Sequence, residues 1–170
     1  MRTDTKTKRT LLGLLVAGVL AAGTAAGTSA WAASDHAHEP ATAAHALKLN
    51  AGKKWASDEP LRLGMAKIRD AVEARLPAVH RGKLSRAQYD ALGGEIDAQI
   101  ASIVSNCKLD PDADEVLHVI LADMMQANEA VQGKRAKAKR STGVVEVVRS
   151  LEQYGRYFEH PGWKAPKTDH

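Results

Sequence analysis

The sequence predicts an all-α protein, an antiparallel up-down-up-down four-helix bundle, and three observations carry that prediction. Apolar residues recur every three or four positions in four successive segments, the spacing of one helix face. Each segment opens at residues suited to a helix start, and the connections between segments are short. Strand-like composition is confined to "VVEVV" (144–148), which runs on into a helical pattern.

The first helix opens at Asp58, an N-cap residue, with Pro60 in its first turn. Leu61, Met65, Ile68, Val72, Leu76 and Val79 form its stripe, and Pro77 is expected to kink it or end it at Leu76. The second opens at "SRAQ", where Ser85 and Gln88 have capping-box spacing. Its stripe is Tyr89, Leu92, Ile96, Ile100, Ile103 and Cys107. The third opens at Asp110–Pro111, with Asp112, Asp114 and Glu115 where the helix dipole favours anions. Leu117, Ile120, Leu121, Met124 and Val131 are its apolar face. The fourth runs from about Thr142 to Phe158, with Val144, Val148, Leu151 and Phe158 inward, and "HPGW" stops it.

Ahead of these helices, residues 1–32 read as a secretory signal. Arg2, Lys6, Lys8 and Arg9 precede the short apolar run "LLGLLVAGVLAAG", and Ala30–Trp31–Ala32 is an A-x-A cleavage pattern. The expected organisation is therefore a signal (1–32), a mobile histidine-containing tail (33–54), the bundle (55–163) and a C-terminal tail (164–170), in a periplasmic protein. Of the full chain's net +4, the first 32 residues hold four bases and one acid, so the remainder carries only +1. That balance gives no reason to expect nucleic acid, and stable membrane insertion is not expected once the signal is removed. A single cysteine makes no internal disulfide, so stability must come from packing.

In this topology one end of the bundle collects most of the chemistry. It gathers Met65 from the first helix, Cys107 after the second, Asp114 and His118 from the third and His160 after the fourth. Five aromatics join them: Trp55, Tyr154, Tyr157, Phe158 and Trp163. Met65, Cys107, His118 and His160 are a soft-to-borderline ligand set, suited to copper, and to zinc if Met65 is excluded. Asp114, one turn before His118, is placed to hold its other ring nitrogen. The third helix's N-terminus favours a Cys107 thiolate, and the surrounding acids oppose it. The tail's His36, His38 and His45 suit weak metal capture, and the run from Lys134 to Arg140 suits an acidic partner or anionic lipid headgroups.

Gly64 and Gly155 withhold two side chains at the same end, which leaves room for a flat cofactor. Met65 and His160 there resemble the axial pair of cytochrome b562-like haem bundles, which would imply non-covalent haem b. Absence of CxxCH excludes covalent haem. "LNAGKKWASDEPLRLGM", "NCKLDPDAD" with the following "LH", and "YGRYFEHPGW" resemble a group of small proteobacterial periplasmic proteins, some labelled DnrO. The resemblance implies export and helical architecture and no catalytic residues. No hydrolase signature is present, and an enzyme is not expected. The expected function is binding of a transition metal, copper first, or else of haem. A cofactor-free module that meets a protein partner through the basic run or the aromatic end is the remaining reading, and Cys107 leaves a homodimer open.

Overall fold

The computed structural model describes residues 47–167, which carry five helices and no strand. The expected signal at 1–32, the tail histidines and residues 168–170 lie outside the described residues. The helices are α1 (Glu59–Glu73), α2 (Leu76–His80), α3 (Arg86–Asn106), α4 (Pro111–Val131) and α5 (Arg140–Tyr157). Among the described residues, no helix is long and apolar enough to cross a membrane.

The starts follow local chemistry. Asp58 Oδ1 accepts the Leu61 amide at 2.9 Å and so caps α1. Ser85 and Gln88 form both halves of a capping box on α3, at 2.9 and 3.3 Å. Asp110 differs from expectation: its carbonyl accepts the Asp114 amide at 2.9 Å, but its side chain makes no capping bond. Helix α5 begins two residues before the expected Thr142, at Arg140.

The first predicted helix is two helices. It stops at Glu73, three residues short of Leu76, because Pro77 has no amide for the carbonyl of Glu73 and its ring crowds that carbonyl. Ala74 and Arg75 turn the chain with bonds to Asp70 and Val72, and Pro77 sits in the first turn of α2.

Every named stripe residue on these helices is buried except Cys107, which is half-buried after the end of α3. Each Leu, Ile, Val or Met so enclosed contributes about 1.5–3 kcal/mol. Packing therefore stands in for a disulfide. Helix α4 packs most extensively on α5 and α1 on α3; α3 also meets α4, and α1 meets α5. Gly143 allows the α4–α5 approach, since a Cβ there would lie 2.6 Å from the Val131 nitrogen and 2.8 Å from the Ala127 oxygen. Gly64 near the start of α1 faces Ile103 near the end of α3, and Asn128 near the end of α4 reaches Gly93 in α3.

Ordered chain extends beyond both expected bundle limits. Asn50 and Lys53 exchange backbone bonds at 2.9 Å across Ala51 and Gly52, whose positive φ angles match a type I′ turn. Trp55 then pairs with the segment after α5: its amide donates to Tyr157 O and its carbonyl accepts from Glu159, both at 2.8 Å. Beyond Trp163, Pro166 is buried.

Candidate functional site

The aromatic end is built on Tyr154, which is fully buried in the last turn of α5. Phe158 stacks on its ring with centroids 5.6 Å apart, and Trp163 meets it edge-on at 4.8 Å. Tyr154 Oη shares a 2.9 Å hydrogen bond with His160 Nδ1. Burial pushes the phenol pKa far up, against the opposing influence of Ser57 and Arg62. Burial also lowers the His160 pKa, helped by the positive charges of Arg62 and Arg69. The Arg69 guanidinium stands 5.3 Å over the Trp163 ring, and Trp55 Nε1 donates to Lys48 O at 2.7 Å.

The space expected at the two glycines is occupied. A Cβ on Gly155 would strike the Trp163 indole, and one on Gly64 would strike the Ile103 side chain. Met65 is fully enclosed in the core. These residues therefore do not fit a haem: the voids meant to admit its ring hold an indole and an isoleucine.

The corner after α3 is tied to α1 through one carboxylate. While Asp58 Oδ1 caps α1, its Oδ2 accepts the Lys108 amide at 2.6 Å. Next to it, burial raises the Cys107 pKa, and the Asp58 and Asp114 carboxylates raise it further. The expected help from the α4 N-terminus is outweighed by this desolvation and by the two negative charges.

His118 is exposed on α4. Its Nδ1 lies 2.8 Å from the Asp114 carbonyl oxygen and 3.3 Å from Asp114 Oδ2. Both partners only accept, so Nδ1 is the donor in this contact. The closer contact is therefore to the backbone of Asp114, with its carboxylate alongside. Among the described residues, no group of three or more His, Cys, Asp or Glu side chains gathers around a common point for a metal ion.

His118 also lies on an open face of α4 with Asp114, Glu115, Val119 and Ala122. Met125, one turn beyond, is 53% exposed. Helix α4 carries five acids, Asp112, Asp114, Glu115, Asp123 and Glu129, and neither Lys nor Arg. Reading the sequence by core stripes passes over this face. Its signal was Met125, an apolar residue off the buried stripe and directly after one on it.

A second set missed by the sequence reading lies at the other end of the helices. Buried Asn128 donates to Gly93 O at 2.9 Å and Asp97 Oδ1 at 2.6 Å, and Gln132 donates to Asp97 Oδ2 at 2.6 Å. Its signal was an asparagine four residues after Met124, on a core stripe. In the basic run, Arg135 pairs with Glu146 at 3.1 Å and Arg140 with Asp90 at 2.6 Å. Lys134, Lys137 and Lys139 are exposed. Compared with protein-family models, curated proteins and solved structures, the chain matches none.

Proposed function

We propose that this chain is an exported, non-enzymatic interaction module: an up-down-up-down four-helix bundle whose outer α4 face takes a cationic amphipathic segment of a partner protein. Export rests on the signal pattern of residues 1–32. The bundle topology is supported by the contacts that bring the start of α1 to the ends of α3 and α5, and α4's last turns to α3 and to the start of α5.

The observation that carries the function is the open α4 face, apolar at Val119 and Ala122 and set in a helix with five acids and no base. An amphipathic helix packs apolar side chains on such a face, and flanking lysines complement its acids. The test is titration with a Lys/Leu amphipathic peptide against a Glu/Leu counterpart of the same pattern. Salt-sensitive binding of the first alone, lost in the double variant Glu115→Lys, Met125→Ser, supports the reading. Equal binding of both peptides sinks it.

A second reading keeps the transition metal, copper before zinc, and is favoured by the oriented His118 ring. Its Nδ1 is engaged by Asp114, which leaves Nε2 as the nitrogen facing a ligand, and Asp114 acts electrostatically on Cys107 as well. A melt series with Cu(I) and Zn(II) on the parent, His118→Ala and Cys107→Ser tests it. Saturation at about 100 times the dissociation constant adds roughly 2.7 kcal/mol. A rise indifferent to both substitutions removes these residues from any metal site.

A further inference from the structure

A hollow of about 590 Å³ lies where α2 meets the segment after Trp163. The two pieces are some eighty residues apart in sequence and are held together by the aromatic end. Trp163 is seated at Gly155 and edge-on to Tyr154, its amide donates to His160 O at 3.0 Å, and Pro166 further along is buried. Lys164, Ala165 and Lys167 are thereby brought against α2.

The lining has two characters. Leu76, Pro77 and Ala165 make it apolar along one part. Arg81, Lys164 and Lys167 place three cations around it, with His80 beside Arg81, against the single acid Glu73. Among the described residues, no carboxylate lies within ion-pair distance of those three cations. A volume of this size suits a small organic ligand. An apolar body would cover Leu76 and Pro77, and an anionic head would meet the cations. An amine would be repelled by the same cations.

We infer that this hollow is a binding site for a small amphiphilic carboxylate, a medium-chain fatty acid in chemical class, distinct from the α4 face. The experiment follows backbone amide shifts of Arg81 and Ala165 in the purified chain during titration with octanoate, octylamine and octanol. Octanoate is expected to move both amides saturably, octanol to bind more weakly, and octylamine least. Replacing Arg81, Lys164 and Lys167 by alanine is expected to weaken octanoate about tenfold, each exposed charge contributing about two- to threefold. The double variant Lys164→Glu, Lys167→Glu reverses the order, so that octylamine binds better than octanoate. All these positions are on the surface, and an unchanged far-UV spectrum shows that each variant folds. Equal binding of octanoate and octanol, shifts elsewhere only, or an unreversed preference in the glutamate variant would overturn the inference.

Discussion

The two ends of the helices are closed by different physics. At one end Tyr154, Phe158 and Trp163 interlock, and Trp55 before α1 pairs through its backbone with the chain after α5. At the other, Asn128, Asp97 and Gln132 bond across α3 and α4, while Arg140 reaches from α5 to Asp90 and over the Tyr89 ring. The aromatic end relies on area removed from water, insensitive to salt and costly to truncate. The polar end relies on bonds whose net worth is small when made and whose loss is expensive when it strands a buried partner. The first gives strength; the second selects the pairing of α3 with α4.

The largest break in this contrast is Phe158→Ala, which empties a fully buried ring site. It should cost about 3–5 kcal/mol in urea unfolding. Asn128→Ala attacks the other end and should cost about 1–3 kcal/mol, because the Gly93 carbonyl and the Asp97 carboxylate both lose a donor. A cost for Asn128→Ala above that of Phe158→Ala would invert the comparison.

Two smaller changes sharpen it. Arg140→Ala should cost about 0.5–1 kcal/mol, a difference that shrinks in about 1 M salt, since Asp90 is well exposed. Gly94→Ala in α3 should stabilise by about 0.5–1 kcal/mol, because a Cβ there meets nothing within 4 Å and glycine is a poor helix former.

The smallest expected effect is the pH dependence of the aromatic end. Burial and the nearby arginines hold the His160 pKa below its ordinary value, so the unfolded chain takes up this proton at higher pH than the folded one. The contribution to stability is full above the ordinary histidine pKa of about 6.5 and is lost as pH falls through the lower folded value. Urea midpoints should therefore decline from about pH 7 towards pH 5, and His160→Gln should flatten part of that decline.

Periodicity made the core legible. The stripes from Leu61 to Val79, Tyr89 to Ile103 and Leu117 to Val131 are buried because a helix repeats its face every three to four residues whatever it packs against. The break in the first helix was legible in kind and misplaced, since the penalty of Pro77 falls on the carbonyl four residues back. Gly155 was visible as a missing side chain, but Trp163 as its occupant depends on how the chain turns after Tyr157. Of the expected ligand residues, the oriented ring of His118 was readable from a one-turn spacing. The full burial of Met65 and the bond from Tyr154 to His160 depend on tertiary packing.

The pairing of Trp55 with Tyr157 and Glu159 also bears on connectivity. Residues more than one hundred positions apart in sequence run side by side there, so the helices form nearly a closed circuit. A circuit can be opened elsewhere. Gly82, between α2 and α3, has a φ of 61° and open space about it, and exposed turns of this kind are where rearranged chains accept new ends. A permuted helical unit that starts at Lys83, with the segment after Trp163 linked back to the segment before Trp55, would keep every helix intact. The order of the helices along the chain would then be a matter of genetic history, with the fold held by which ends meet.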